Sequence, residues 1–251
     1  MVRARQRAER AREDARLGDV APRGEGARHR LRQALESRRF GVVAESKRRS
    51  PSRGMLEAGA YDPAGRARLY EEAGAAAVSI LTEPDYFAGS LEHLRAARAA
   101  TRLPLLRKDF LLHPAQVDEA AQAGADAVLA IMRILSPAEL GALLAEADRL
   151  GLDVLVEVHG EEELTRALQA GARLIGVNNR DLDTFDTDWR RSLRLAPAIP
   201  PGTLAVAESG IRSLDQVEAL AAAGFRAVLV GEAVMTEGPG LVREVSRWGG
   251  L

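Results

Sequence analysis

A repeat of about 25 residues constrains the fold of this chain more than any other feature of its sequence. Four helix-like segments end in Ala-Gly, at Gly74, Gly124, Gly171 and Gly224, and an apolar run begins almost at once after each. Glycine just past a helix end commonly adopts the left-handed conformation that caps the helix. Further apolar runs lie midway between these points. The pattern therefore predicts strands and helices that alternate along the chain.

Eight apolar runs are predicted to be strands, and each is continuous, as is typical of a parallel sheet covered on both faces. They are residues 40–44, 76–81, 103–106, 127–131, 154–158, 174–177, 204–207 and 227–230. Amphipathic helices are predicted between and after them, at 63–73, 91–100, 115–123, 137–150, 161–170, 189–195, 214–223 and near Val242. This eightfold alternation predicts an α/β fold, a (β/α)8 TIM barrel. A doubly wound open sheet is the alternative, although no Gly-x-Gly-x-x-Gly follows the first strand.

The repeat leaves the N-terminus outside the barrel. Residues 1–30 are rich in arginine and poor in large apolar side chains, so we expect an N-terminal helical extension followed by a barrel domain at 31–251. Residues 1–53 carry sixteen basic and seven acidic side chains. Such an excess would suit nucleic acid, but the interleaved acids favour a solvated helix. No nucleic-acid partner is expected.

Composition excludes several classes of site. The chain has no cysteine, so it has no disulfides, thiolate metal sites or cysteine nucleophiles. Its histidines lack metal-ligand spacing and no metal is predicted: His29, His93, His113 and His159. No apolar stretch approaches the ~20 residues that span a bilayer, and the N-terminus lacks the apolar core of a signal peptide. We expect a cytoplasmic protein without a membrane partner, and a monomer, with a homodimer as the alternative.

Lysine is rare in this chain. Lys47 and Lys108 stand among thirty-three arginines. An ammonium group can release its proton when it is desolvated, whereas arginine stays charged. Each lysine follows a predicted strand, which suggests a chemical role. The alternative is that both are surface charges left by codon usage.

Polar residues recur where the predicted strands end. The odd-numbered predicted strands end in charged residues: strand one in Glu45 with Lys47, strand three in Lys108, strand five in Glu157, and strand seven in Glu208 with Ser209. Strand six ends in Asn178. Catalytic residues of TIM barrels lie at the C-terminal strand ends, and side chains from alternate strands share a layer. Burying a charged side chain there costs several kcal/mol of folding free energy unless the charge is paired or solvated. The recurrence favours an active site, and a structural ring of ion pairs is the alternative.

Glycines after the last two strands predict a phosphate site. Gly210 and Gly231 lie in the loops after strands seven and eight, where backbone N–H groups of barrels often bind phosphate. The loop at 48–54, which contains Ser50, adds cations and hydroxyl groups near the same end of the barrel. Contacts with an aryl group are predicted for three residues in loops after strands: Phe87, Phe110 and Leu182. Packing in the core is the commoner fate of phenylalanine.

Six segments, in this order along the chain, closely resemble the indole-3-glycerol-phosphate synthase family. They are 43–54 (VAESKRRSPSRG), 79–83 (SILTE), 104–110 (PLLRKDF), 155–158 (LVEV), 175–182 (IGVNNRDL) and 206–211 (VAESGI). The resemblance runs from about residue 31 to the C-terminus. It implies a cofactor-free barrel enzyme of tryptophan biosynthesis. Its substrate would be a phosphorylated aryl-amino sugar, 1-(2-carboxyphenylamino)-1-deoxyribulose 5-phosphate, whose pyrrole ring closes with loss of carbon dioxide and water.

The resemblance also implies roles for individual residues. Lys108 would be the general acid of ring closure and Glu157 the general base of dehydration. Lys47 would bind the substrate carboxylate and could also act as an acid, while Glu45 and Asn178 would orient these groups. Burial lowers the pKa of a lysine, so Lys108 needs a carboxylate partner to stay protonated, and Glu45 is the expected one. Substrate contacts are implied for these residues: Ser50, Arg180, Glu208, Ser209, Gly210, Gly231 and the backbone of Glu232.

The chain departs from the family at two places. Ser46 stands where the family usually has an aliphatic or aromatic residue, which is expected to alter strand packing more than chemistry. The N-terminal helix, which in the family helps to cover the site, is unusually poor in large apolar residues here.

Three other functions compete with this interpretation. A lysine at a barrel strand end can form a Schiff base in aldolase-like lyases. The sister isomerase of the same pathway relies on a cysteine, which this chain lacks. A catalytically silent phosphate-binding scaffold is the third alternative.

Overall fold

Eight parallel strands close into a barrel in the part of the chain that the structure describes. The structure is a computed structural model, and it describes residues 20–51, 53–56, 60–181 and 184–249. The barrel strands are β1 (Gly41–Ser46), β2 (Ala77–Leu81), β3 (Leu105–Lys108), β4 (Ala127–Ile131), β5 (Asp153–Val158), β6 (Leu174–Asn178), β7 (Leu204–Glu208) and β8 (Ala227–Val230). Each pairs with its sequence neighbours, and β8 pairs with β1. The predicted (β/α)8 TIM barrel is confirmed.

Helices surround the barrel, and most of them cover its outer face. They are α1 (Arg30–Glu36), α2 (Pro63–Glu72), α3 (Pro84–Phe87), α4 (Leu91–Ala100), α5 (Ala115–Gln122), α6 (Pro137–Leu150), α7 (Glu161–Gln169), α8 (Arg190–Leu195), α9 (Leu214–Ala222), α10 (Glu232–Thr236) and α11 (Gly240–Gly249). Short 3-10 turns occur at Glu25–Ala27, Met132–Ile134 and Ala196–Ala198. After β1, Arg49–Ser50 pairs with Gly54–Met55 in a small hairpin. Within the described ranges, no helix is long and apolar enough to cross a membrane.

The local signals explain where most elements begin and end. The four glycines of the repeat have φ between 86° and 97°, the left-handed conformation that their caps require. Helix α6 begins at Pro137, as predicted, because Ser136 and Glu139 form a capping box. Strand β3 begins at Leu105, two residues later than predicted. Proline has no N–H to give to the ladder, and Pro104 only accepts a bond from the backbone N–H of Val78.

Helix α1 closes the N-terminal end of the barrel. Its Leu31 and Leu35 are buried with Val43, Leu106 and Leu155 in the apolar cluster that fills the barrel interior. A second and larger cluster lies between the strands and the outer helices. The C-terminal half of the interior is therefore free of this helix and open to polar side chains.

The residues just before α1 and its first residue dock on the same N-terminal end of the barrel. Arg23 and Arg30 both form ion pairs with Asp126, which is buried and also accepts a bond from the backbone N–H of Leu105. Val20 accepts a bond from Arg149. The described part of the predicted extension thus lies opposite the C-terminal strand ends. The first part of the predicted extension, residues 1–19, lies outside the described residues.

Candidate active site

Four charged side chains form one layer at the C-terminal end of the barrel. Glu45, Lys108, Glu157 and Glu208 come from β1, β3, β5 and β7, and each stands at or next to the last residue of its strand. Inward side chains of alternate strands share a layer in a TIM barrel, as the sequence predicts. The apolar interior cluster includes Val43, Leu106, Leu155 and Val206, each two residues before a layer member on its strand. Charged groups therefore replace the apolar ones of the interior at this level of the barrel.

Lys108 lies among the three carboxylates of this layer. Its Nζ donates a hydrogen bond to Glu208 Oε2 and lies 3.6 Å from Glu157 Oε2 and 3.9 Å from Glu45 Oε2. Burial lowers the pKa of Lys108, but the three carboxylates outweigh it and hold the pKa above its usual value. Glu45, the expected partner, is the most distant of the three. Glu208 makes the direct bond, so Lys108 is a protonated cation.

Glu208 is the most deeply buried member of the layer. Burial raises its pKa to about 7, although Lys108 acts in the opposite direction. Its Oε1 has no hydrogen-bond partner among the described residues. A side-chain carbon at Gly176 would collide with that oxygen, so this position on β6 must be glycine. Glycine inside a buried strand is the sequence signal that could have predicted this close approach.

Glu45 forms a second ion pair, with Lys47. Glu45 Oε1 accepts a hydrogen bond of 2.7 Å from Lys47 Nζ. Burial raises the pKa of Glu45, but Lys47 and Lys108 outweigh burial and the pKa lies below its usual value. A side-chain carbon at Gly231 would collide with Glu45 Oε1. Gly231 therefore makes room for this pair as well as bordering the expected phosphate site.

Asn178 links the carboxylate of Glu157 to the next loop. Its Nδ2 donates to Glu157 Oε1 at 3.0 Å, and its Oδ1 accepts from the backbone N–H of Arg180 at 3.0 Å. His159 Nε2 lies 3.5 Å from the same Glu157 oxygen. The Glu157 carboxylate is thus held by an amide and lies near two basic side chains, His159 and Lys108.

A cavity of about 370 Å³ opens above the layer. The predicted site residues that line it are Glu45, Lys47, Ser50, Phe87, Lys108, Phe110, Glu157, Asn178, Arg180, Ser209, Gly210, Gly231 and Glu232. Glu208 was predicted to contact the substrate but does not line the cavity, because its carboxylate lies in the closed interior and is bound to Lys108. Leu182 lies outside the described residues.

One side of the cavity is apolar. Phe87, Phe110 and Ile131, which follow or end the neighbouring strands β2, β3 and β4, line this side. Phe185, which the sequence did not single out, also lines the cavity, and its backbone carbonyl accepts a hydrogen bond from Arg180. The Phe110 ring packs edge-on against Tyr86, with ring centres 6.2 Å apart. Large aromatic surfaces of this kind suit a flat aryl group.

Arginines mark another part of the cavity lining. Arg53, Arg180 and Arg212 each form an ion pair with Glu232, and all four residues line the cavity with Gly210. The cations of the loop at 48–54 were predicted to lie near this end of the barrel. Arg212 was not predicted, because its position two residues past Gly210 gives no periodic signal.

Asn179 is a buried residue to which the sequence assigns no role. Its Nδ2 donates to the carbonyl of Ser209, and its Oδ1 accepts from the backbone N–H and the hydroxyl of Ser192 on α8. Ser209 has φ of 68°, a conformation that is rare for a residue with a side chain. Asn179 thus helps to hold the turn that presents Ser209 and Gly210 to the cavity.

Ser46, which departs from the family pattern, points away from this layer. Its hydroxyl group is buried and bonds to the hydroxyl of Tyr61 at 2.6 Å. The Tyr61 ring in turn packs edge-on against His93. The Ser46 side chain therefore packs behind β1 and does not line the cavity.

Comparison with known proteins gives consistent matches. The family model described as indole-3-glycerol phosphate synthase matches residues 2–241. A protein named indole-3-glycerol phosphate synthase from Carboxydothermus hydrogenoformans is 50% identical over 86% of this chain and 83% of its own length. A protein of the same name from a Parafrankia species is 54% identical over 81% of this chain and 76% of its own length. Another, from Koribacter versatilis, is 47% identical over 92% of this chain and 88% of its own length.

Among solved structures, a more distant barrel matches the fold. Thiamine phosphate pyrophosphorylase from Pyrococcus furiosus superposes with a TM-score of 0.63 over 83% of this chain and 95% of that chain. The two sequences are 19% identical, so this likeness concerns the fold alone.

Proposed function

This chain belongs to the indole-3-glycerol phosphate synthase family, and we propose that it is a cofactor-independent carbon–carbon lyase of tryptophan biosynthesis. Its substrate is 1-(2-carboxyphenylamino)-1-deoxyribulose 5-phosphate, and its products are indole-3-glycerol phosphate, carbon dioxide and water. The observation that carries the proposal is a lysine, Lys108, paired with the buried Glu208 carboxylate at the floor of a cavity with an apolar side and an arginine-rich region. We place the enzyme in the cytoplasm.

The cavity lining suggests how the substrate lies. Its phosphate fits between the loops that carry Gly210 and Gly231, near Arg180, because backbone N–H groups and guanidinium groups both favour an anion. Its aryl ring fits against Phe87 and Phe110. The ketone and the carboxylate then lie over the polar layer, between Lys108 and Lys47.

Ring closure needs a proton donor at the ketone. The aryl carbon that bears the carboxylate attacks the carbonyl carbon, the carbonyl electron pair moves to oxygen, and Lys108 gives that oxygen a proton. The Glu208 and Glu157 carboxylates beside Lys108 keep it charged until this step. Carbon dioxide then leaves, and its bonding electron pair restores the aromatic ring. Lys47 holds the carboxylate before it departs.

Dehydration needs an acid and a base. The hydroxyl group formed by ring closure leaves as water with a proton from a lysine, either Lys47 or Lys108. Glu157 takes a proton from the carbon beside the nitrogen, and the electrons of that bond complete the pyrrole double bond. Asn178 donates to Glu157 Oε1 at 3.0 Å and holds the carboxylate in position. The steps give the substrate two protons and remove one, so the overall reaction consumes one proton.

The same electrostatics disfavour a Schiff-base lyase. A Schiff base requires a neutral amine, and the carboxylates around Lys108 hold its pKa above the usual value. Borohydride reduction in the presence of substrate distinguishes the two routes, because only a Schiff base leaves a covalent adduct that mass spectrometry detects. A silent scaffold would show neither an adduct nor turnover.

Lys108→Arg tests the role of the general acid. The guanidinium group keeps the charge but is larger and does not release its proton. We expect kcat to fall by about 10²-fold or more, the usual cost of losing a general acid, with a much smaller change in KM. Indole fluorescence measures both constants, and circular dichroism shows whether the variant is folded. Near-native kcat in a folded variant would exclude Lys108 as the acid.

A further inference from the structure

The Glu232 carboxylate is surrounded by guanidinium groups from three different loops. Its Oε1 lies 2.7 Å from Arg53 Nη2 and 3.1 Å from Arg212 Nη2, and its Oε2 lies 3.4 Å from Arg180 Nη2. These arginines follow β1, β7 and β6, and Glu232 follows β8. The Glu232 side chain is 17% exposed, so the cluster is partly shielded from solvent.

This cluster borders the place proposed for the substrate's phosphate. The three arginines and Glu232 line the same cavity as Gly210 and Gly231. Guanidinium groups bind carboxylate and phosphate in the same fork-like geometry, so the two anions can use the same donors. Three positive charges and one negative charge leave two positive charges. A sugar phosphate carries a charge of about −1.5 to −2 at pH 7.

We propose that the Glu232 side chain is an internal anion that holds Arg53, Arg180 and Arg212 in place in the free enzyme and yields them to the phosphate of the ligand. This role rests on the proposed function for the position of the phosphate. Glu232 tunes the site to a dianion, because a weaker anion cannot displace the carboxylate. It also opposes the product's phosphate, and so it promotes product release.

A purely structural cluster would behave in the opposite way. If Glu232 only ties three loops together, its removal would leave the arginines less ordered and would weaken phosphate binding. If Glu232 competes with phosphate, its removal relieves repulsion between like charges and strengthens binding. Whether phosphate affinity rises or falls when Glu232 is removed therefore distinguishes the two roles.

Inorganic phosphate is the probe, since its binding can be measured by calorimetry without any turnover. We expect Glu232→Gln to bind phosphate about tenfold or more tightly than the unaltered protein at low salt, with a smaller gain at high salt because of screening. Glu232→Ala should change in the same direction, so the result does not depend on one variant. Equal or weaker binding in these variants would overturn the proposal.

Glu237→Gln is the matched control. Glu237 Oε1 lies 3.9 Å from Arg212 Nη1, but its side chain is 66% exposed and does not line the cavity. The same loss of one charge there should change phosphate affinity less than about twofold, because exposed charges are screened. An equal gain in this control would show a general charge effect and would also overturn the proposal.

Kinetics with the aryl-amino sugar substrate add a second readout. Glu232→Gln should lower KM and also lower kcat, because the product phosphate leaves more slowly. An unchanged KM, with turnover intact, would contradict the competition between the two anions. If the unaltered protein shows no turnover, the proposed function fails, while the calorimetric result still decides the role of Glu232.

Discussion

Lys108 and its three carboxylates show how closely the charges of this site depend on one another. One cation lies within 4 Å of Glu45, Glu157 and Glu208, and Glu45 is shared with Lys47. The pKa values of two of these carboxylates are shifted in opposite directions from the usual value. Glu45 has two lysines as neighbours and its pKa is lowered, whereas burial raises the pKa of Glu208 to about 7.

The raised pKa of Glu208 predicts a pH dependence of stability. A carboxyl group whose pKa is higher in the folded than in the unfolded chain stabilises the fold fully below its unfolded pKa, here 4.5, and loses this effect as the pH rises to about 7. The free energy of unfolding should therefore fall over this range by up to about 1.4 kcal/mol per pH unit. Glu208→Gln should remove this fall.

Urea unfolding at several pH values between 4.5 and 7 measures the effect. The informative quantity is the difference in free energy of unfolding between the unaltered protein and Glu208→Gln at each pH. Glu237→Gln, which removes an exposed carboxylate, should follow the unaltered protein. If Glu208→Gln keeps the same pH dependence as the unaltered protein, the titration belongs to another group.

The sequence could predict which residues lie at the site but not which of their side chains form hydrogen bonds with one another. The strand ends place Glu45, Lys108, Glu157 and Glu208 in one layer, because alternate strands share layers. The choice of Glu208 as the bonded partner of Lys108 depends on side-chain direction across the barrel. Gly176 makes room for Glu208 across the β6–β7 pair, and a glycine inside a buried strand signals such a close approach without saying which side chain comes near.

At the scale of elements, the apolar runs locate each strand but misplace some ends. Strands β1, β6 and β7 continue into Glu45, Asn178 and Glu208, because the backbone ladder extends past the apolar run. Helix α1 was not predicted as the closure of the barrel. It precedes the first strand, so it falls outside the repeat that identified the other helices.

Leu35→Ala tests the role of α1. Leu35 is fully buried in the barrel interior, at the end opposite the charged layer. Its truncation should lower the free energy of unfolding by about 2–5 kcal/mol, the range for large-to-small changes in a core. We expect kcat to stay within about twofold, because the cavity lining is unchanged. Chemical denaturation and steady-state kinetics measure the two quantities.

A large loss of kcat in Leu35→Ala, with little loss of stability, would contradict this separation. It would mean that α1 positions the charged layer through the barrel interior. Ser37→Ala is a suitable control on the same segment. Its hydroxyl group makes only an exposed bond to the carbonyl of Ala34, so both quantities should remain near those of the unaltered protein.

At the scale of the whole molecule, the residues that close and stabilise the barrel and the residues that line the cavity lie at opposite ends of the barrel. The N-terminal end is closed by α1 and by the ion pairs of Asp126 with Arg23 and Arg30. The C-terminal end holds the charged layer and the cavity. The same barrel architecture occurs in a 19% identical pyrophosphorylase structure. Fold alone therefore does not determine the reaction, and the side chains at the cavity do.

The most direct test of the account is turnover by the unaltered protein. Purified protein is mixed with 1-(2-carboxyphenylamino)-1-deoxyribulose 5-phosphate labelled with ¹³C at the carboxylate, in the presence of a metal chelator and without added cofactor. We expect indole fluorescence to rise, and labelled carbon dioxide and indole-3-glycerol phosphate to form in equal amounts. Folded protein that forms no indole product, or that needs an added metal or cofactor to form it, would contradict the account.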